Sequence, residues 1–203
     1  MSSTAPSNSA VIGRSCSGCT LCCKLLSIRA LSKPRQKWCP HCTAGVGCNI
    51  YIARPTECQT FLCEYLHNED LGEEWYPANC KMVLHYEAHA NRIVIHVDAG
   101  RIDAWRKEPY YSQIKSWARK AIAYRGQVIV WQGTDAVAVL PNREKNLGRV
   151  RDDQFIVTAE RRSAGGVDLD VLVVEKDDPR IQGSQLPTHE NPQTVEIKPS
   201  RFE

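Results

Sequence analysis

The sequence predicts an α+β protein in two unlike parts: a small metal-stapled cysteine-rich N-terminal module, followed by a mainly antiparallel sheet with one long helix. Three observations carry this. Nine of the ten cysteines fall between Cys16 and Cys63. From Met82 onward, β-rich runs recur in pairs around short turn segments. One stretch, Tyr110 to Ile122, repeats its apolar residues at helical spacing.

Four segments follow in order: a disordered tail over 1–13, the cysteine-rich metal-chelating module over 14–80, an α+β domain over 81–176 and a loosely ordered tail over 177–203. The first tail is rich in Ser, Thr, Asn and Pro with little apolar content. The module has few periodic stretches, as expected where metal bonds substitute for a core. It holds one helix candidate, about Cys22 to Leu31, which Pro34 ends.

In the third segment, Met82–Glu87 and Arg92–Val97 read as a hairpin. A helix follows with Pro109 in its first turn, Tyr110, Ile114, Trp117, Ala118, Ala121 and Ile122 at helical spacing, and Gly126 as its stop. Val128–Trp131 and Ala136–Leu140 flank Gly133-Thr-Asp, a second hairpin signal. Phe155–Glu160 and Leu169–Glu175 flank Ser163-Ala-Gly-Gly166, a third, with Gly165-Gly166 in its turn. The last segment is polar and carries Pro179, Pro187, Pro192 and Pro199.

Composition excludes some classes. No run of about 18 apolar residues exists to span a bilayer, and residues 2–12 lack the basic and apolar regions of an export signal, so a cytoplasmic protein is expected. A reducing compartment favours clustered thiols as ligands or catalysts over disulfides. The net charge of +3 is unevenly spread: residues 1–66 carry seven Lys and Arg against two acids, a balance of +5, and the rest of the chain balances at −2. Four thiolates around one divalent ion carry about −2, so these cations read as support for a thiolate site that also lowers thiol pKa values. Nucleic acid is the weaker reading of the same charge, and a protein partner stays open.

The cysteines begin with Cys16-Ser-Gly-Cys19-Thr-Leu-Cys22-Cys23, continue through Cys39-Pro-His-Cys42 and Cys48, and end with Arg54-Pro-Thr-Glu-Cys58 and Cys63. In C-x2-C the backbone can turn so that both sulfurs face one ion, and a second pair from elsewhere closes a tetrahedron. Eight thiolates can fill two such sites, or one with spares. Three close cysteines with a later Cys39-Pro40 also echo a ferredoxin-like arrangement that holds an iron–sulfur cluster. Spacing alone does not separate zinc from iron. Adjacent residues rarely point at one ion, so Cys22 or Cys23 serves a second centre or packs as a small apolar side chain. Pro55 fixes the turn that presents Cys58, and Arg54 pairs with thiolate charge or binds a substrate anion.

The order C-x2-C-x2-C-C, a cysteine near an Ile-Tyr pair, then Arg-Pro-x-x-Cys-x4-Cys resembles the YkgJ-type cysteine cluster family, a zinc- or iron-chelating domain to which the cysteine-rich part of flagellin lysine N-methylase is similar. The resemblance covers about residues 14–66. It implies that the ligands are Cys16, Cys19, Cys22, Cys23, Cys39, Cys48, Cys58 and Cys63. This chain has both Cys39 and Cys42 where the pattern needs one, which leaves the choice between them open.

Outside the cluster the signals are weaker. Cys80 reads as a buried thiol or a ligand returning to the module, and His85, His89 and His96 as hairpin residues rather than a shared metal site. Trp105, Trp117 and Trp131 read as core. The function expected is a metal-binding protein that chelates zinc or iron through its cysteines in a structural or metal-handling role. Two alternatives stand beside it: a metal- or iron–sulfur-dependent protein-modifying or redox enzyme, methyltransferase-like, and a zinc-stapled module that binds a partner or RNA. Whether the chain is an enzyme is left open, since no cofactor loop for S-adenosylmethionine is visible.

Overall fold

The computed structural model describes residues 10–16, 18–163 and 166–178. Most of both expected tails, and the Gly165 half of the third turn, lie outside the described residues. In chain order the regular elements are α1 (Leu21–Leu25), β1 (Cys42–Thr43), β2 (Gly47–Cys48), α2 (Thr56–Thr60), α3 (Glu64–His67), α4 (Pro77–Cys80), β3 (Met82–Glu87), β4 (Arg92–Val97), α5 (Tyr110–Ala123), β5 (Gln127–Gln132), β6 (Asp135–Val139), β7 (Glu144–Arg149), β8 (Gln154–Ser163) and β9 (Gly166–Glu175). The fold is α+β, with a five-stranded, mainly antiparallel sheet in the order β3-β4-β5-β6-β7, two-stranded pairs β1-β2 and β8-β9, and one long helix. Among the described residues no helix is long and apolar enough to cross a membrane.

The chain divides into two compact units, Met1–His85 with His96–Ala104, and Tyr86–Ile95 with Trp105–Glu203. The second is built on apolar strands. Ile129 faces Ala138 and Trp131 faces Ala136 in the β5-β6 register, and these four join Val94, Leu140, Ile156 and Val171 in one core cluster. The alternate residues Val128, Val130, Val137 and Val139 are buried too, so both faces of the two strands are covered, as their unbroken apolar runs require. Helix α5 packs on β5 and β6 and buries Ile114 and Ala118. Trp105 and Trp131 are buried and Trp117 is half-buried.

Pro109 stands at the N-cap of α5 rather than inside its first turn. The helix ends at Ala123, and the left-handed residue past its end is Arg125 (φ 56°), not the expected Gly126. Gly126 is required for a different reason, because a Cβ there would sit 2.9 Å from the Asn91 carbonyl oxygen. Strand β7 was not anticipated. Its sequence, Glu-Lys-Asn-Leu-Gly-Arg, has one apolar residue, and the pairing slips as Ala136 meets Gly148 but Val137 meets Asn146. Leu147 is the extra residue of that bulge, and Gly148 holds a left-handed φ of 66° beside it.

The first unit has little regular structure. Leu21, Leu25 and Val83 form an apolar cluster in it, with Cys19, Cys22 and Phe61 against it, and Trp75, Met82, Leu84 and Val97 are buried as well. Polar links do much of the joining: Lys24 Nζ donates to both Asp98 carboxylate oxygens at 2.9 and 2.6 Å, and Gln36 donates to the Val97 carbonyl while accepting from the Ala99 N–H. The helix expected over Cys22 to Leu31 is split into α1 and a 3-10 turn over Arg29–Leu31. Lys33 explains the split. Its ammonium takes the carbonyls of Lys24 and Leu26, and its backbone bridges Ile28, so Leu26 and Ile28 are drawn into extended conformation.

Candidate metal centre

Every cysteine segment is held by a short local device. The Cys19 N–H donates to the Cys16 carbonyl, and Gly18 supplies the left-handed φ of 76° that this turn needs. Thr20, itself left-handed, starts α1, which carries Cys22 and Cys23, and its hydroxyl accepts from the Gly45 N–H. The Cys39 N–H donates to the Cys23 carbonyl at 3.0 Å and the Cys42 N–H to the Cys39 carbonyl at 3.1 Å. The β1-β2 pair then sets Cys42 opposite Cys48. Thus four distant cysteines meet through backbone bonds.

Pro55 makes the turn read from the sequence, while Arg54 stacks on a ring beside it. Pro55 is the N-cap of α2 and accepts the Cys58 N–H. Arg54 Nη1 donates to the Tyr51 carbonyl at 2.7 Å, and the guanidinium lies 3.9 Å over the Tyr51 ring. Cys63 stands at the N-cap of α3. Arg14 brings the first cysteines to it: the guanidinium donates to the carbonyls of Tyr65 (2.6 Å), Asn68 (2.9 Å) and Leu71 and lies 4.4 Å over the Tyr65 ring. The Val11 N–H completes that clamp on the Leu66 carbonyl.

One cavity of about 980 Å³ opens among these segments, and the cysteines that line it are Cys16, Cys19, Cys22, Cys23, Cys39, Cys48, Cys58 and Cys63. Cys42 and Cys80 do not line it. Cys42 shares a side-chain hydrogen bond with Cys23, and Cys80 is buried with its sulfur 3.4 Å from the Met82 carbonyl. All ten cysteines are free thiols. As the side chains stand, no three or more His, Cys, Asp or Glu among the described residues are drawn together tightly enough to hold an ion.

The thiols fall into two neighbourhoods. Cys63 interacts electrostatically with Cys19 and Cys16, whereas Cys58 and Cys42 interact with Cys23, Cys39 and Cys48. Cys23 belongs to both, since Cys16 and Cys19 also feel its charge. Contrary to the expectation that cations depress them, these thiols are shifted upward. Burial pushes Cys63 and Cys42 up to about 12 and raises Cys16, Cys19 and Cys58, with neighbouring sulfurs adding to the effect. Cys23 is raised first by its hydrogen bond with Cys22 and then by burial. Arg54 draws Cys16 down, but by less than burial and Cys19 push it up. These shifted thiols are therefore protonated and neutral near pH 7 when no ion is bound.

His67 lines this cavity, whereas His85, His89 and His96 do not. His85 Nε2 and His96 Nε2 meet at 3.1 Å with the rings 5° from parallel and centroids 5.2 Å apart, an end-to-end hydrogen bond rather than a face-to-face stack. His89 lies in the exposed turn between β3 and β4. Two contributors were not singled out from the sequence: Arg14 as the clamp, and Lys33, buried beside α1. Their signal was only their charge within the cysteine-rich segment. As a donor set, eight sulfurs on one cavity suit soft or borderline ions such as zinc and iron, and oxygen-seeking ions poorly. Comparison with protein-family models, with curated proteins and with solved structures finds no match to this chain.

Proposed function

We propose that the first unit is a thiolate metal-chelating module that binds zinc or iron, the latter as ions or an iron–sulfur cluster, in a structural or metal-handling role. The observation that carries this reading is the convergence of Cys16, Cys19, Cys22, Cys23, Cys39, Cys48, Cys58 and Cys63 on one cavity. Their spacing, which resembles the YkgJ-type family, supports it independently. When an ion arrives, thiols that start protonated release their protons to solvent and bind it as thiolates, so affinity rises with pH. Ten free thiols fit a reducing compartment, and we place the protein in the cytoplasm.

Anaerobic purification with elemental analysis and an absorption spectrum tests the reading. Roughly one to two metal equivalents per chain are expected, colourless if zinc and coloured if iron, because eight thiolates fill two four-coordinate sites. Cys16→Ser with Cys19→Ser lowers that content. Metal-free protein whose melt ignores chelator would count decisively against it. A second reading, a metal- or iron–sulfur-dependent protein-modifying or redox enzyme, is favoured by one observation: about 980 Å³ is ample room for an organic ligand beside an ion. S-adenosylmethionine binding by saturation-transfer NMR tests it, and no transfer in the metal-loaded protein would leave the chelating reading alone.

A further inference from the structure

We propose that the cavity of the first unit also binds an aliphatic monocarboxylate, with the carboxylate on the Arg54 guanidinium and the hydrocarbon body against the apolar wall. This site needs the cavity and not the ion, so it goes beyond the metal-chelating reading.

Between its sulfurs the cavity is lined by Leu26, Leu31, Ile50, Phe61, Leu62 and Leu66, and at about 980 Å³ it matches pockets that enclose small organic ligands. A tetrahedral thiolate centre draws on sulfur alone and has no use for that wall. Tyr51, Val46 and Leu62 line the cavity and yet are 52%, 70% and 41% exposed. Large apolar side chains left in water around one concave surface are the mark of a binding site.

The Arg and Glu side chains on the wall are Arg14, Arg54 and Glu57. Two of them are spent: Arg14 holds three backbone carbonyls, and the Glu57 carboxylate accepts the Arg29 N–H at 2.9 Å. Arg54 is not. Of its five N–H donors, one goes to the Tyr51 carbonyl at 2.7 Å and one to the Cys58 carbonyl at 3.4 Å, both neutral, and no carboxylate pairs with it among the described residues. The Tyr51 ring, 3.9 Å away, holds the guanidinium plane in place. A fixed guanidinium with unspent donors suits a carboxylate, which takes two parallel N–H bonds. One positive charge matches a monoanion, whereas a phosphate dianion calls for a second cation and Arg14 is already committed.

The competing explanation is that Arg54 only staples the loop between Tyr51 and Cys58. Octanoate and octanamide separate the two, since they share a hydrocarbon body and differ in charge. Calorimetric titration of the full chain as purified, with its metal content recorded, is expected to show octanoate binding about 10–100-fold tighter than octanamide, the advantage that paired hydrogen bonds between charged groups supply. Arg54→Gln should bring octanoate down to the level of octanamide and leave octanamide where it was, which loss of a loop staple would not do. Arg54→Lys keeps the charge without the fork and should fall between. Lys37→Gln removes the same charge from an exposed residue outside the cavity and should move neither probe. Equal affinity of the two probes for wild type, binding of neither, or an octanoate advantage that survives in Arg54→Gln overturns the proposal, as does octyl phosphate binding more tightly than octanoate. If Arg54→Gln does not fold, Arg54→Lys decides: a reduced octanoate advantage upholds the site and an unchanged one overturns it. Metal-free protein that shows the Arg54-dependent advantage upholds the site while the chelating reading fails, and metal-loaded protein that binds neither probe does the reverse.

Discussion

The two units solve the same problem with different chemistry. The second buries Val128 through Trp131 and Ala136 through Val139 on adjacent strands, and Val94, Ile156, Val171 and helix α5 cover them. The first buries apolar residues too, Trp75, Met82, Leu84 and Val97 among them, but its cysteine segments are joined by one-turn helices, a two-residue strand pair and the clamps of Arg14, Lys24 and Gln36. On the proposed reading, one unit stores its stability in apolar area, and the other draws a share of it from the metal its thiols bind.

The largest expected effect tests that division directly. Binding of structural zinc to thiolate sites is worth about 10–16 kcal/mol near neutral pH, so chelation should remove amide protection from the first unit. Hydrogen exchange followed by mass spectrometry is expected to show peptides covering α1 and β1-β2 exchanging rapidly after chelator, with α5 and β5 unchanged. Equal loss in both units would erase the contrast, and no loss in either would remove its premise.

Next in size is a cavity in the second unit. Ile129 is fully buried in its core, and Ile129→Ala should cost about 2–5 kcal/mol in urea unfolding. The metal content of the purified protein should not move. Arg14→Met tests the opposite unit by subtracting polar clamps: three carbonyls lose a charged donor, for about 2–3 kcal/mol, and Cys16 and Cys19 lose their anchor beside Cys63. Here metal content should fall along with stability. A stable variant with full metal content would show that the N-terminal cysteines find Cys63 without Arg14.

Much of this division was legible in the sequence, for reasons particular residues show. Met82–Glu87 and Arg92–Val97 read as strands and are strands with those bounds, because each is a short run of apolar and β-favouring residues bounded by a polar turn. Strand β7 escaped notice because its pairing with β6 is decided by a tertiary partner and a bulge at Leu147 rather than by its own mostly polar residues. The long helix expected after the first cysteines failed for a similar reason. Local propensity favoured it, but the Lys33 ammonium takes two of its carbonyls from a distance no periodic pattern encodes. Cysteine spacing pointed to a thiolate site and the family resemblance to a set of eight, whereas the roles of Arg14 and Lys33 depended on which backbone oxygens they would meet.

Acid provides a smaller test inside the first unit, made on metal-loaded protein and read against a variant that keeps every cysteine, so that ion release is common to both. Burial, then the charges of His85 and Arg35, hold His96 well below the ordinary histidine value of 6.5. The native state thus keeps His96 neutral while the unfolded chain takes up a proton as pH falls through that value. Stability should decline below about pH 6.5, by at most about 1.4 kcal/mol per pH unit from this site. Unfolding curves between about pH 7.5 and 5.5 check the sign, and replacing His85 and His96 together by Leu should flatten the decline.

The smallest effect is expected at Cys80, where the contrast turns inward on the first unit. Its thiol is 5% exposed, directed at the carbonyls of Met82 and Trp75, and turned away from the cavity. Burial raises it to about 12, so it stays a neutral, small apolar group. Cys80→Ala removes one sulfur from packed surroundings and should cost about 1 kcal/mol, with metal stoichiometry unchanged. Cys58→Ala deletes the same atom from the cavity wall and should cost metal before it costs packing. If the two variants lose metal equally, position at the cavity does not distinguish a ligand from a buried thiol; if only Cys58→Ala does, the cavity wall itself defines which sulfurs belong to the centre.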